Sequence, residues 1–187
     1  MAASGAARRT DDPAPGRWIV LVGLMGAGKS AVGRALAATT GRLHVDADEE
    51  IERAARASIA EIFARDGEPF FRAREAEVVD RVLLGAPGVL STGGGAWMSA
   101  PVRAAVAGRG VSVWLRADLD TLWPRVRGRA HRPLLRGADG RAVLARLMAE
   151  RAPRYAEADL VVDSRPDRGV DGTAAVLLDA LRRRRAA

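Results

Sequence analysis

The chain has 187 residues, a length typical of one domain with a full core. Its composition, with 48% hydrophobic and 28% charged residues, is ordinary for a soluble globular protein. It has no cysteine, which excludes a disulfide framework and thiolate metal sites and favours a cytoplasmic enzyme. No apolar run approaches the about 18 residues that a membrane span needs, so we expect no membrane partner.

The formal net charge of +7 invites a nucleic-acid partner, but its distribution argues against one. Nine arginines lie between Arg125 and Arg154, against only Asp139 and Glu150, so this segment alone carries the whole excess. A local arginine cluster is more typical of a phosphate-binding site than of a surface that binds polyanions in general. We therefore expect no nucleic-acid partner.

The ends of the chain differ in composition from the rest. Residues 1–16 are rich in Ala, Pro and Gly, lack the apolar core of a signal peptide and are expected to form a disordered tail. No linker or internal repeat divides the remainder of the chain. We expect a single domain over residues 17–184, with residues 185–187 as a short C-terminal tail.

The strongest motif comes directly after the first predicted strand, the apolar run Trp18–Val22. Residues 23–30 read G-x-x-x-x-G-K-S and lead into a helix predicted over Lys29–Thr40. In this context the glycines let backbone N–H groups surround phosphate oxygens, and the helix N-terminus attracts the same anion. Lys29, the only lysine of the chain, can reach the outer phosphates, and the Ser30 hydroxyl can ligate Mg²⁺. The alternative is a plain glycine-rich turn.

This motif, the phosphate loop, also defines the residues expected to bind a nucleotide. They are Gly26, Ala27, Gly28, Lys29, Ser30 and Ala31.

A short second strand, predicted at residues 43–45, delivers two carboxylates. Asp46 and Asp48 would arrive at the carboxyl edge of the sheet beside the phosphate loop, and on an extended segment both side chains would point the same way. One carboxylate can hold Mg²⁺ through water while the other receives a substrate hydroxyl. The alternative is that one of them only caps the next helix, predicted at residues 49–56.

Helical spacing of apolar residues predicts a short helix that ends at Gly67 and a longer helix over residues 70–84. Arg72 lies near the start of the longer helix, where a cation opposes the helix dipole, so it is a candidate anion ligand. A surface pair between Arg72 and Glu75 is the alternative.

A buried strand at residues 89–92 ends in three glycines, residues 93–95, which allow a ligand to approach closely. A plain turn is the alternative. A helix at residues 99–107 and a strand at 111–115 continue the β-α alternation, which predicts a parallel sheet. Trp97, just after the glycines, is the tryptophan placed to contact a ligand.

The last third of the chain contains a predicted flap. Asp118 is expected to cap a helix that runs to Val126. Residues 127–140 are dense in Arg and Gly without a clear period, which is typical of a mobile flap over a phosphate site. A helix at residues 141–152, a strand at 160–162 and a helix at 170–184 complete the chain.

Six segments, in order and spacing, resemble shikimate kinases over about residues 17–184. They are GLMGAGKS at 23–30, DAD at 46–48, FFRAREAEV at 70–78, STGGGA at 91–96, RPLL at 132–135 and RAPRYAEAD at 151–159. The resemblance implies an α/β protein with a P-loop nucleoside-monophosphate-kinase-like fold. This fold is a three-layer α/β/α sandwich with five parallel strands in the order 2-3-1-4-5 and a mobile lid, here at about residues 127–140.

The resemblance implies transfer of the γ-phosphoryl group of MgATP to the 3-hydroxyl of shikimate, a step toward chorismate and the aromatic amino acids. By position, Lys29 would contact the β- and γ-phosphates and Ser30 would ligate Mg²⁺, with Asp46 holding the metal through water. Arg132 would be the lid arginine for the γ-phosphate, and Arg125 would lie near the adenine. Lys29 and Arg132 are therefore counted among the catalytic residues.

The resemblance also implies which residues bind shikimate, the phosphate acceptor; we call them the acceptor side. Arg72 and Arg151 would grip the shikimate carboxylate, and Gly94 and Gly95 would close over the ring. Asp48 would bind the ring hydroxyls and is a candidate general base. Guanidinium forks for a carboxylate and a carboxylate for hydroxyls match what an anionic polyol requires.

The chain departs from the family pattern at two positions. Ala31 stands where threonine is usual, and Trp97 is bulkier than the usual residue after the glycines. Two other functions stay open at this point: a kinase of the same fold for gluconate or a cyclitol, and a nucleotide-binding or RNA-binding regulator that uses the basic segment. Apart from these, we expect a cytoplasmic monomer with ATP and shikimate as ligands and Mg²⁺ as cofactor.

Overall fold

Five parallel strands form the centre of the computed structural model, which describes residues 12–128 and 139–186. The strands are β1 (Trp18–Val22), β2 (His44–Asp46), β3 (Val89–Ser91), β4 (Gly110–Arg116) and β5 (Leu160–Asp163). Their order in the sheet is β2-β3-β1-β4-β5, and every neighbouring pair is parallel. The predicted order 2-3-1-4-5 is therefore confirmed.

Helices cover both faces of this sheet. They are α1 (Lys29–Thr40), α2 (Ala47–Ala55), α3 (Ile59–Leu83), α4 (Ala100–Arg109), α5 (Leu119–Val126), α6 (Gly140–Tyr155) and α7 (Gly169–Ala186), with a 3-10 turn at Ala96–Met98. α1 packs on α7, whereas α4 packs on α3 and against β1 and β4. In the part of the chain that is described, no helix is both long and apolar enough to cross a membrane.

The sequence of β1 explains why it lies in the middle. All five of its residues are buried, because helices cover both of its faces and strands flank both of its edges. Ile19 pairs with Val89 of β3 on one side and with Val111 of β4 on the other. The continuous apolar run is what such a doubly covered strand requires.

α3 is interrupted where the sequence predicts a helix end. Gly67 has φ 81° and ψ 171°, a conformation outside the helical region, so α3 consists of two helical parts joined at this glycine. The second part packs Phe71 and Val78 into a small core with Ile51 of α2 and Ile62 of the first part. This small core supports the helix that carries Arg72.

Contacts between the N-terminal segment and the domain begin before residue 17. Ala14 is buried in the main core, and the Arg42 guanidinium hydrogen-bonds the Asp12 carboxylate and the carbonyl oxygens of Ala14 and Arg17. The buried Arg42 side chain thus ties residues 12–16 to the domain. At the other end, α7 continues to Ala186, past the boundary predicted at 184.

The topology brings three segments to one edge. The phosphate loop comes after β1, Asp46 ends β2, and residues 93–95, which we call the glycine loop, come after β3. Because the carboxyl ends of neighbouring parallel strands share one edge, these segments meet there, as ligand sites of open α/β sheets do.

Candidate active site

The phosphate loop encloses the ammonium group of Lys29. Its Nζ donates hydrogen bonds to the carbonyl oxygens of Gly23 at 2.8 Å and Leu24 at 3.0 Å, and the residue is only 9% exposed. Gly28 precedes α1 with φ 95°, a left-handed conformation that glycine adopts without strain. The loop therefore presents a fixed positive charge at a helix N-terminus, which is an anion-binding arrangement.

Ser30 and Asp46 lie in contact beside this loop. The Ser30 hydroxyl donates to Asp46 Oδ2 at 2.5 Å, while Asp46 Oδ1 accepts the backbone N–H of Asp48 at 3.1 Å. Asp46 is thus the N-cap of α2, but capping is not its only contact because its other oxygen accepts from Ser30. The helix begins at Ala47 rather than at residue 49.

The expectation that Asp46 and Asp48 lie on one extended segment and point the same way is wrong. The cap starts the helix directly after Asp46, which puts Asp48 in the first turn of α2. A helix turns by about 100° per residue, so the two side chains diverge. Asp46 faces Ser30, and Asp48 faces the glycine loop.

The Ser30–Asp46 pair fits a magnesium ion. It supplies two hard oxygen ligands near a site for phosphate, and Mg²⁺ is usually held by one or two protein oxygens together with substrate phosphates. Within residues 12–128 and 139–186, no cluster of three or more His, Asp or Glu side chains forms a metal cage. A phosphate-bridged ion needs no such cage.

The glycine loop is surrounded by charged side chains. A Cβ atom at residue 93 would lie 2.6 Å from Glu75 Oε1 and 2.8 Å from Asp48 Oδ1. A Cβ atom at Gly95 would lie 2.5 Å from Arg72 Nη2. Only glycine allows this approach, so the alternative of a plain turn does not account for the loop.

Arg72 is held by two carboxylates on its own helix. Its guanidinium lies 2.8 Å from Glu75 and 3.0 Å from Glu68, and its Cζ lies 5.0 Å from the centre of the Phe71 ring. Although burial alone would lower the pKa of Arg72, the two carboxylates raise it above its usual value. The Arg72–Glu75 pair exists, but it is not a surface pair because Glu75 is only 1% exposed.

Glu75 is a buried carboxylate beside Asp48. Its burial raises the pKa of Glu75 above the usual value, and the nearby Asp48 adds to this, whereas Arg72 and Arg151 oppose it. Oε1 is buried without a hydrogen-bond partner in the described part of the chain. The Glu75 carboxylate therefore offsets the positive charges of Arg72 and Arg151 and orients Arg72 toward the glycine loop.

Arg151 reaches the glycine loop from α6. One of its Nη atoms donates to the Gly94 carbonyl oxygen at 2.9 Å, and the Tyr155 hydroxyl donates to the same oxygen at 2.5 Å. Together with the contacts of Asp48 and Arg72, the structure gathers the five residues expected on the acceptor side. They are Asp48, Arg72, Gly94, Gly95 and Arg151.

A cavity of about 840 Å³ opens beyond the carboxyl ends of β4 and β5. Its wall includes Trp114, Arg116, Met148 and the segment of residues 163–167. Arg125 joins this wall to the phosphate loop, since it donates to Ser164 Oγ and to the Gly26 carbonyl oxygen, both at 3.1 Å. Arg125 therefore links the wall of the cavity to the phosphate loop.

Two further expectations concern the lid and Trp97. The predicted lid lies mostly outside the described residues, and Arg132 with it. Trp97 is a core residue rather than a wall of the site, because it is 4% exposed and its indole N–H donates to the Arg154 carbonyl oxygen at 2.8 Å.

Sequence reasoning does not single out three residues of the site. It offers Glu75 only as a surface partner of Arg72, and it gives neither Tyr155 nor Ser164 a place. The F-R-x-x-E and R-x-P-x-Y spacings contain the first two and are the signal that points to them. Ser164 lies in a segment without a motif.

The comparisons agree with this geometry. The family model described as shikimate kinase matches residues 25–182. A shikimate kinase of Cereibacter sphaeroides is 59% identical over 146 residues, which cover 78% of this chain and 73% of that protein. A shikimate kinase of Mesorhizobium japonicum is 54% identical over 165 residues, which cover 88% of this chain and 81% of that protein.

A solved structure is similar as well. It is the shikimate kinase from Acinetobacter baumannii in complex with shikimate, with a TM-score of 0.87 and 35% identity over 91% of this chain and 96% of that chain. The family match, the relatives and the fold agree over most of the sequence. The chain belongs to the shikimate kinase family.

Proposed function

We propose that this enzyme transfers the γ-phosphoryl group of ATP to the 3-hydroxyl of shikimate, giving shikimate 3-phosphate and ADP. The observation that carries the proposal is the meeting of Asp48, Arg72 and Arg151 at the glycine loop, next to a complete phosphate loop. An anionic polyol needs guanidinium groups for its carboxylate and a carboxylate for its hydroxyls. The product belongs to the route toward chorismate and the aromatic amino acids.

The nucleotide occupies the phosphate loop and the cavity beside it. Residues 26–31 and the N-terminus of α1 bind the phosphates, and Lys29 contacts the β- and γ-phosphates. The cavity beyond β4 and β5 takes the base and ribose, with Arg125 near the adenine. Arg132, from the lid, adds a further positive group to the phosphate site.

Ser30 would ligate Mg²⁺ and Asp46 would hold it through water, which the contact between their oxygens supports. When bound, the ion neutralises phosphate charge as the phosphoryl group is transferred. Asp46 keeps its capping bond to the Asp48 N–H, so the residues for the metal and for the acceptor hydroxyl are fixed relative to each other.

Arg72 and Arg151 bind the shikimate carboxylate, and Gly94 and Gly95 lie against the ring. Both guanidinium groups already have partners that set their orientation, Glu75 for Arg72 and the Gly94 carbonyl for Arg151. Binding therefore costs less side-chain entropy than it would with two free arginines.

Asp48 accepts the proton of the 3-hydroxyl as its oxygen forms the bond to the γ-phosphorus atom. The bond from that phosphorus to the β-γ bridging oxygen breaks, and ADP leaves with the bond's electron pair. Lys29 and Arg132 stabilise the charge on the transferring group, so positioning and electrostatic stabilisation accompany the proton transfer to Asp48.

The proposal is tested by product identification. The purified chain is incubated with shikimate, ATP and Mg²⁺, and the product is analysed by mass spectrometry and by phosphorus–proton coupling in NMR spectra. We expect one phosphate on the 3-oxygen. Phosphate on another hydroxyl, or unchanged shikimate, would refute the proposal. We further propose that the enzyme acts as a monomer. We also propose that it acts in the cytoplasm, a compartment that the absence of cysteine from the sequence fits.

A further inference from the structure

Tyr155 is the only tyrosine of the chain and the last residue of α6. It belongs to the R-x-P-x-Y spacing, of which the proposed function uses only Arg151. The side chain is 1% exposed, and its hydroxyl donates to the Gly94 carbonyl oxygen at 2.5 Å. A buried hydroxyl that reaches the glycine loop has a position in the site but no assigned role.

The hydroxyl also contacts Arg151. Burial raises the pKa of Tyr155 to about 12, and the neighbouring Arg151 guanidinium opposes this rise. The Tyr155 hydroxyl donates to the Gly94 carbonyl oxygen. Arg151 itself donates to the same carbonyl oxygen at 2.9 Å. The Gly94 carbonyl oxygen thus accepts hydrogen bonds from both Tyr155 and Arg151, which brings the two side chains together at one acceptor.

The tyrosine ring is held in place on its other side. It stacks on Trp114 of β4, with 5.7 Å between ring centres and 25° between the planes. The adjacent Arg154 carbonyl oxygen accepts the Trp97 indole N–H, which ties the end of α6 to the turn after the glycine loop. The hydroxyl therefore has little freedom to move.

We propose that Tyr155 is a positioning residue, which fixes the Arg151 guanidinium and the Gly94 peptide in the orientation that binds the acceptor's carboxylate. The inference rests on the proposed function of the site. An arginine carries five N–H groups, so the bond of Arg151 to Gly94 leaves the others for a carboxylate, while the acceptor shared with Tyr155 restricts the side chain. Without the hydroxyl, the Gly94 carbonyl oxygen loses one of its two donors, and the Gly94 peptide and Arg151 gain freedom that binding must remove.

The test uses Tyr155→Phe, which keeps the ring and its stacking on Trp114. We expect the KM for shikimate to rise at least fivefold, while kcat and the KM for ATP stay within twofold of wild type. The matched control is Thr173→Val, which removes another buried hydroxyl, the donor to the Gly169 carbonyl oxygen at 2.7 Å in α7. We expect Thr173→Val to lower the stability of the fold as Tyr155→Phe does, because each loses a buried hydroxyl, but to leave the KM for shikimate and the KM for ATP unchanged.

A double-mutant cycle shows whether Tyr155 acts through Arg151. If it does, Tyr155→Phe added to Arg151→Lys raises the KM for shikimate less than twofold beyond Arg151→Lys alone. The proposal would be overturned if Tyr155→Phe alone left the KM for shikimate unchanged. It would also be overturned if the double variant raised this KM by the full product of the two single-variant increases.

A crystal structure of the Tyr155→Phe variant supplies a readout independent of catalysis. We expect Arg151 to leave the Gly94 carbonyl oxygen or to adopt several conformers. An arginine ordered as in the wild type would refute the positioning role, even if the acceptor were not shikimate. Conversely, a wild-type chain inactive on shikimate would refute the function alone.

Discussion

The hydroxyl of Ser30 donates a 2.5 Å hydrogen bond to Asp46 Oδ2, which joins the first turn of α1 to the end of β2. Asp46 simultaneously caps α2 through its other oxygen. One carboxylate thus links the phosphate loop to the helix that carries Asp48. This link sets the distance between the proposed metal ligands and the proposed base.

Replacing Asp46 by asparagine separates the two roles of this side chain. Asparagine caps helices about as well as aspartate, so α2 and the thermal unfolding midpoint should be preserved. The lost charge should weaken the metal site, and we expect the Mg²⁺ concentration for half-maximal activity to rise about tenfold. Activity is measured over a Mg²⁺ titration at saturating ATP and shikimate. An unchanged titration would remove Asp46 from the metal site.

Replacing Asp48 by asparagine should lower kcat at least a hundredfold, because an amide cannot take the hydroxyl proton. Nucleotide affinity, measured by calorimetry, should stay nearly intact. Glu49→Gln is the matched control, since it removes a charge from the same helix turn at an exposed position. Wild-type turnover in Asp48→Asn would exclude Asp48 as the base.

Gly95→Ala tests the close approach of Arg72 to the glycine loop. The new methyl group would overlap the guanidinium, which lies at the end of a flexible side chain and can move away. We therefore expect the KM for shikimate to rise about tenfold with little change in unfolding temperature. Steady-state kinetics and thermal melts are compared with Gly108→Ala, where nothing lies within 4 Å of the added atom.

The Gly108→Ala control should melt at the same temperature or slightly higher, since alanine favours a helix by about 0.5–1 kcal/mol. Equal shikimate KM values in the two variants would show that Arg72 does not bind the acceptor from its observed position.

Glu75→Gln tests the electrostatics beneath the site. Burial raises the pKa of Glu75 in the folded protein above its unfolded value. The folded state then binds this proton more tightly, so the stabilisation is complete below the unfolded pKa and is lost as pH rises through the folded pKa. The unfolding free energy of wild type should therefore fall relative to Glu75→Gln as pH rises from about 4. Denaturant unfolding at a series of pH values measures this difference.

The opposite slope in that series would mean that the Arg72 guanidinium dominates over burial at Glu75. In that case the pKa of Glu75 would lie below its unfolded value, and the carboxylate would stabilise the fold at neutral pH.

Local signals in the sequence are enough to predict most of the fold. The apolar run of β1, the break at Gly67 and the cap at Asp118 each depend on short-range physics, and the structure confirms all three. The strand order comes from the family resemblance rather than from periodicity. The family motifs also name the five acceptor-side residues that the structure gathers.

The sequence could not show what depends on three-dimensional context. It predicts parallel side chains for Asp46 and Asp48, because either aspartate could cap the next helix and the sequence alone does not decide that capping at Asp46 starts the helix between them. The burial of Glu75 comes from the packing of Gly93 against α3, far apart in sequence. Ala14 is buried because Arg42, just past the end of α1, reaches back to the N-terminal segment.

The central claim is that this site phosphorylates shikimate. Its most direct test is the initial rate of ADP release with MgATP and saturating shikimate, compared with gluconate and with no acceptor. We predict a rate with shikimate at least a hundredfold above the other two. A shikimate rate equal to the background, or a higher rate with gluconate, would contradict the claim.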